Sequence, residues 1–314
     1  MSGPPFASTL ERFLAFRRTQ PPRPTLERLT VRARGLDFAV YRTPPVGSAR
    51  PLLCINGGLL FDHRILWPAL APLAANRPLI CYDQRGRGAS AVPPGMQGSR
   101  IEFDAGDVVA LREALGIAEW DVLGHSWGGG IAMLACAEEQ ARDLGGVHRL
   151  VLVNAVGVTS RWLAPLHAIG VTRLTGDARE RLAACDPEQL VIPELERHSA
   201  YARAFFPAWF ADPHFARNVT PLVGDSATGA VVAARLRREG YDWRHTLRDV
   251  AVPTLVVHGA ADALPLAEAE ATAAFLPHAR VVPIPGAGHN PFWEAPDAFF
   301  PVVDGFLREG TLPP

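Results

Sequence analysis

Val122-Leu123-Gly124-His125-Ser126-Trp127-Gly128-Gly129-Gly130 joins an apolar strand pattern to a helix of small residues across a serine flanked by glycines. A G-x-S-x-G turn between a strand and a helix pushes the serine Oγ out of the sheet. It also points the following backbone N–H groups at whatever that oxygen attacks. The pentapeptide alone is equally compatible with an ordinary turn, so its flanks carry the decision. Glu119–Leu123 reads as a short buried strand, and Ile131–Ala137 reads as a helix whose tiny residues pack against a sheet. Gly124 and Gly128 stand where strand and helix backbones approach, and a side chain at either place would block that approach. Ser126 is therefore expected to form a covalent intermediate.

The 314 residues are 48% hydrophobic, 20% charged and 8% aromatic, a globular composition with room for one large core or two modest ones. With a formal net charge of −1 there is no excess of positive charge to advertise nucleic acid or an anionic membrane as a partner. Met1–Leu29 holds no signal-peptide core, and no stretch approaches the roughly 20 apolar residues of a membrane span. The expectation is a cytoplasmic protein that binds neither membrane nor nucleic acid. Cys54, Cys81, Cys136 and Cys185 show no C-x-x-C spacing, and there is no H-E-x-x-H, so neither a metal site nor a cofactor is expected.

Residues 1–25 read as an N-terminal segment, helical in spacing from Phe6 to Arg18, and a linker broken by Pro21-Pro22-Arg23-Pro24. Leu29–Ala33 and Phe38–Tyr41 alternate like an antiparallel pair turned at Gly35. Then come the continuous apolar runs Pro51–Ile55 and Leu79–Tyr82, which suit strands buried on both faces. Ile65–Ala75, Phe103–Leu115 and Ile131–Gln140 supply helix patterns between strands, and Leu150–Val153, Thr254–His258 and Arg280–Ile284 complete about eight strands. Strands alternating with helices predict an α/β fold with a mostly parallel sheet flanked by helices. Residues 157–248 interrupt the alternation with proline-broken helical pieces carrying Trp162, Phe205, Phe206, Trp209, Phe210 and Trp243. This segment reads as an inserted helical cap on a core of 26–156 and 249–314, and its aromatics either pack as core or roof an apolar pocket.

A serine hydroxyl needs a base within hydrogen-bond reach and an acid to orient that base. Val256-Val257-His258-Gly259-Ala260-Ala261-Asp262 puts a carboxylate in the loop after a strong strand, and Val282-Pro283-Ile284-Pro285-Gly286-Ala287-Gly288-His289 puts a histidine after the last one. Asp262 is the expected acid and His289 the expected base. Taken singly, Asp262 would also serve as a cap for a helix near Leu264, and His289 as a surface residue. Their joint occurrence in order decides for chemistry. His125 and His258 read as structural, and Asn154, at the end of the sixth strand, is an amide that cannot carry the acid's charge. For the oxyanion, the backbone N–H of Trp127 is one expected donor and that of Gly58, in Asn56-Gly57-Gly58-Leu59-Leu60, the other.

With Ser126, Asp262 and His289 in this order, the chain resembles the α/β-hydrolase superfamily over roughly residues 26 to 310. Asp83-Gln84-Arg85-Gly86-Arg87-Gly88-Ala89-Ser90 and Gly124-His125-Ser126-Trp127-Gly128-Gly129 are similar to the D-Q-R-G-x-G-x-S and G-x-S-W-G-G motifs of its proline iminopeptidase branch. The branch's H-G-G-P-G appears here as Asn56-Gly57-Gly58-Leu59-Leu60, followed by His63. The resemblance implies a cofactor-independent aminopeptidase acting on small peptides or amides through an acyl-enzyme. A carboxylesterase, lactonase or C–C bond hydrolase is the alternative, and a non-catalytic ligand-binding member of the fold a further one. Peptidases of that branch bind the substrate amine through acidic cap residues, a role open here to Glu188, Glu194, Glu196 and Glu239 and assigned to none. Asp83 and Arg85 are expected to tie the loop after the fourth strand to its neighbours through charged hydrogen bonds.

Overall fold

The computed structural model describes residues 8–219 and 224–310. Residues 1–7, with Phe6 of the expected N-terminal helix, 220–223 of the expected cap, and 311–314 lie outside the described residues.

Strands β1 (Glu27–Ala33), β2 (Leu36–Arg42), β3 (Leu52–Ile55), β4 (Leu79–Tyr82), β5 (Trp120–His125), β6 (Val147–Val153), β7 (Thr254–Gly259) and β8 (Ala279–Ile284) form one sheet. Their spatial order is β1-β2-β4-β3-β5-β6-β7-β8, with β1 and β2 antiparallel to their neighbours and the other six mutually parallel. The first hairpin turns at Arg34 and Gly35, both at positive φ. Every residue of β3, β4, β5 and β7 is buried, as continuous apolar runs require.

Alternate residues of each strand feed two cores. Leu53, Val122 and Val256 face helices α2 (Ile101–Ala114) and α3 (Trp127–Ala141), while Leu52, Leu123 and Val257 face the other layer. That second layer receives α1 (Thr9–Thr19) through Phe16, which stacks on Phe300 at 5.2 Å. Between β6 and β7 the chain forms α4 (Leu163–Arg173), α5 (Gly176–Ala183), α6 (Leu195–Phe205), α7 (Ala227–Glu239) and α8 (Arg244–Leu247). Helices α9 (Leu266–Phe275), α10 (Pro291–Glu294) and α11 (Pro296–Glu309) follow β7 and β8.

One expected helix is absent. Instead of a helix over Ile65–Ala75 there are two short 3-10 turns, His63–Ile65 and Ala71–Ala75. Pro68 and Pro72 each remove an N–H that a continuous α-helix would need. Among the described residues no helix is long and apolar enough to cross a membrane, and Cys54, Cys81 and Cys136 are buried free thiols.

Candidate active site

The elbow is built by two close backbone approaches. A Cβ on Gly124 would lie 2.4 Å from the Gly128 carbonyl oxygen, and one on Gly128 would lie 2.2 Å from that of Ile55. The turn between them forces Ser126 to φ 55° and ψ −121°, a region that costs a non-glycine residue about 1–3 kcal/mol. Three hydrogen bonds hold it there. The Ser126 N–H donates to Val153 O at 3.0 Å, and the Ser126 carbonyl accepts from Gly129 and Val156 N–H at 2.9 and 3.2 Å.

Asp262 occupies the turn after β7 and divides its two oxygens between two tasks. Oδ1 accepts from Leu264 N–H at 3.1 Å, which shapes the turn, and Oδ2 lies 2.7 Å from His289 Nδ1. The same Oδ2 accepts from Asn154 Nδ2 at 2.7 Å. Burial alone would push this carboxyl up, but the His289 imidazole beside it and the hydrogen bonds from His289 and Asn154 hold it below the ordinary carboxylate range. The acid is thus kept ionised in a buried place.

His289 is fixed on several sides. The Trp209 ring stacks on its imidazole at 4.1 Å, and its N–H donates to Trp209 O at 2.7 Å. Its carbonyl accepts from His125 Nε2 at 2.9 Å. Burial pushes His125 down to about 3, so a neutral ring serves as a backbone donor there. His258 is used similarly, its Nε2 donating to Leu264 O at 2.9 Å. Neither histidine takes a partner in the cavity, in keeping with their structural reading. Glu294 accepts from Gly288 N–H at 2.9 Å and from Ala211 N–H at 2.7 Å, and Arg173 of α4 donates to the carbonyls of Ala261, at 2.7 Å, and Asp262. Sequence reasoning missed Asn154, Glu294, Arg173 and Trp209 as supports. Only Asn154, one strand away from the acid's loop, left a usable signal.

Gly57 and Gly58 lie against the elbow. A Cβ on Gly57 would come within 2.4 Å of Ser126 Cβ, and Gly58 has φ 70°. The 83–90 run holds this loop from behind: Gln84 Nε2 donates to Asn56 O at 2.8 Å and Arg87 Nε to Leu59 O at 3.1 Å. Arg85 is bound to Asp107 and Arg87 to Asp104, and Asp83 accepts from His63 N–H at 3.1 Å and from Ala89 N–H at 2.9 Å. Asp62, His63 and Asp83 place potential metal-ligand atoms within 4.8 Å of one another. Arg64 occupies both oxygens of Asp62, and His63 Nδ1 sits 2.7 Å from Asp83 Oδ1. The cluster therefore works as a polar clamp between the two loops.

Ser126, His289, Gly58 and Trp127 all line one cavity of about 160 Å³. No Ser126–His289 hydrogen bond is formed among the described residues; such bonds are often long before substrate arrives. Most of the remaining wall is apolar, including Leu60, Phe61, Trp162, Leu166, Phe205 and Trp209, with His198, Tyr201 and Arg237 as its polar members. Three of the six aromatics singled out between residues 157 and 248 thus line the pocket. Phe206 and Phe210 pack with Trp209, Phe215 and Trp293, and Trp243 stacks on Tyr241 at 3.7 Å. Among the described residues no Asp or Glu lines the cavity. Glu188, Glu194, Glu196 and Glu239 are all exposed, with Glu194 paired to Arg197 and Glu239 to Arg238.

A family model described as alpha/beta hydrolase fold matches residues 50–296. A proline iminopeptidase from Levilactobacillus brevis is 27% identical over 297 residues, which cover 84% of this chain and 92% of that protein. The solved enol-lactonase from Burkholderia xenovorans is similar at TM-score 0.65 and 25% identity, over 90% of this chain and 100% of that one. The solved proline iminopeptidase from Mycobacterium smegmatis shares the fold at TM-score 0.64 and 23% identity, over 90% of this chain and 98% of that one.

Proposed function

The chain belongs to the alpha/beta hydrolase fold family, and from that premise we propose that it is a serine hydrolase of carboxylic esters or lactones with an apolar acyl part. One observation carries the choice of substrate: Ser126 and His289 open into a mostly apolar cavity whose charged wall residue is the cation Arg237 and which has no described carboxylate. A free amine desolvated there would have no counter-charge, whereas a neutral acyl chain loses nothing.

His289 Nδ1 is engaged by Asp262, which leaves Nε2 for the Ser126 hydroxyl. The serine oxygen attacks the carbonyl carbon as its proton passes to His289, and Gly58 and Trp127 N–H groups bind the oxyanion. Collapse expels the alkoxide, which takes that proton, and leaves an acyl-Ser126. Water then attacks the acyl carbon, giving its proton to His289; the proton returns to Ser126 as the acid leaves. Asp262 stays ionised throughout and stabilises the imidazolium. Residues 157–248 act as the cap that selects the acyl group over a core of 26–156 and 249–314.

A second reading, an aminopeptidase of the proline iminopeptidase type, is favoured by the similarity to the Levilactobacillus brevis protein and by the 83–90 and 124–129 motifs. Parallel assays on p-nitrophenyl esters of short fatty acids and on L-proline p-nitroanilide separate the two. Ester turnover that vanishes in Ser126→Ala, with a fluorophosphonate adduct on Ser126, is the expected result. Arylamide turnover without ester turnover would replace the first reading by the second, and an unlabelled Ser126 would sink both.

A further inference from the structure

The apolar stripe of α7 is interrupted at the cavity. Ala233, Leu236 and Arg237 lie three and four residues apart, and all three line the pocket that holds Ser126. A core-facing stripe that ends in a guanidinium is unusual, because a half-buried cation needs a partner. Arg235 and Arg238 of the same helix have oxygen partners, in Gln97 O and Glu239. No carboxylate lies within ion-pair distance of Arg237 among the described residues. Its nearest aromatic neighbour is Tyr201 of α6, whose ring centroid is 5.3 Å from the guanidinium carbon.

Around Arg237 the wall is polar but carries no negative charge. The Tyr201 hydroxyl is buried beside the Arg237 guanidinium, which acts on its oxygen as a hydrogen-bond donor, and its own O–H has no acceptor among the described residues. His198 spends its Nε2 on Ile192 O at 3.0 Å, and His167 stacks on Tyr201 at 5.8 Å. Both histidines are pushed down, first by burial and then also by Arg237, so they are neutral neighbours of a fixed cation. Asp186 and Glu194, the acids that act on these two rings, are exposed and spend their own oxygens on Glu188 N–H and Arg197. The pocket therefore offers a guanidinium with no carboxylate partner and a hydroxyl whose proton is unspent on the wall formed by α6 and α7, and the nucleophile on another.

We propose that Arg237 and Tyr201 bind a carboxylate at the far end of the acyl chain, so that the preferred substrates are monoesters of dicarboxylic acids. The ion pair supplies the counter-charge that Arg237 lacks, and its fork of N–H groups together with the tyrosine O–H matches the acceptor geometry of a carboxylate. This assignment rests on the ester-hydrolase reading and narrows it to one substrate class.

The test pairs ethyl monoesters of straight-chain dicarboxylic acids with ethyl esters of monocarboxylic acids of matched length, assayed by titration of the released acid. At the chain length that spans the pocket, kcat/KM for the charged member exceeds that for its neutral mate by about tenfold or more, the range of one hydrogen bond to a charged group. The ratio collapses in Arg237→Gln and is partly kept in Arg237→Lys. The same preference appears in calorimetric binding of the paired esters to Ser126→Ala, which needs no turnover. No preference for the charged ester at any length, in turnover or in binding, overturns the proposal. If neither series is hydrolysed and Ser126 resists fluorophosphonate, the hydrolase reading has failed instead, and the calorimetry still decides whether Arg237 takes a carboxylate.

Discussion

Asn154 Nδ2 donates to the same Asp262 oxygen that faces the His289 imidazole, at 2.7 Å. The amide sits at φ 44° at the end of β6, and its own oxygen accepts from Gly259 N–H at 3.3 Å. It thus orients the acid from the neighbouring strand while the charge stays on Asp262. Asn154→Gly tolerates this backbone conformation and removes the donor. Loss of a hydrogen bond to a charged group is worth about 1.5–3 kcal/mol, so kcat on an ester should fall about 10- to 100-fold with KM little changed. A kcat within about twofold of wild type would show that the amide is dispensable to the site.

Arg87 and Asp104 form an ion pair at 2.9 Å with neither side chain accessible to solvent. Burial pushes the Asp104 carboxyl up, against the pull of Arg87 and Arg85, so the pair contributes through its partners more than through its own charge. Arg87 also holds the carbonyls of Arg85 and Leu59, and hence the loop beneath Ser126. Asp104→Ala strands a buried guanidinium and should cost about 3–5 kcal/mol. The double variant Arg87→Met/Asp104→Leu should recover part of that loss in urea unfolding. A double variant less stable than Asp104→Ala would contradict this account.

Gly128→Ala tests the elbow itself. Its added Cβ would meet Ile55 O at 2.2 Å and Asn56 O at 2.7 Å, backbone atoms that cannot swing aside as a flexible side chain would. Overpacking of this kind costs about 1–3 kcal/mol, and here the relief must come from β3 moving away from α3, which displaces Gly57 and Gly58. Both the urea midpoint and the ester kcat should fall together. Unchanged stability would mean that the approach is looser than these distances imply.

The positions of the strands along the chain and the loops of Ser126, Asp262 and His289 were legible because each loop directly follows an apolar run, a strictly local signal. The spatial order of the strands was not read from the sequence. Ile65–Ala75 misled because its helical spacing of apolar residues outweighed Pro68 and Pro72 in the reading, whereas in the chain the missing N–H groups prevail. The supports of the site come from segments far apart in sequence. Glu294 reaches Ala211 across 83 positions and Arg173 reaches Ala261 across 88, and no spacing rule links such pairs. Arg237 was hidden for a different reason: an arginine on a charged helix reads as a solvated residue until the neighbouring helix is in place.

Glu294 offers the clearest pH signature. Burial pushes its carboxyl from the ordinary 4.5 up to about 8, while hydrogen bonds from Ala211, Gly288 and Asn290 N–H groups oppose that rise. Between these two values the folded chain holds a proton that the unfolded chain has released, so stability declines as pH rises from about 4.5 to about 8 and levels off above. Glu294→Gln has no such proton to retain. Its melting temperature should therefore fall less than that of wild type between about pH 5 and pH 8, so that the gap between the two proteins shifts in favour of the glutamine variant as the pH rises. Melting curves for the two proteins that run parallel through that window would show that Glu294 titrates in the ordinary carboxylate range and that its place beside the His289 loop leaves it solvated.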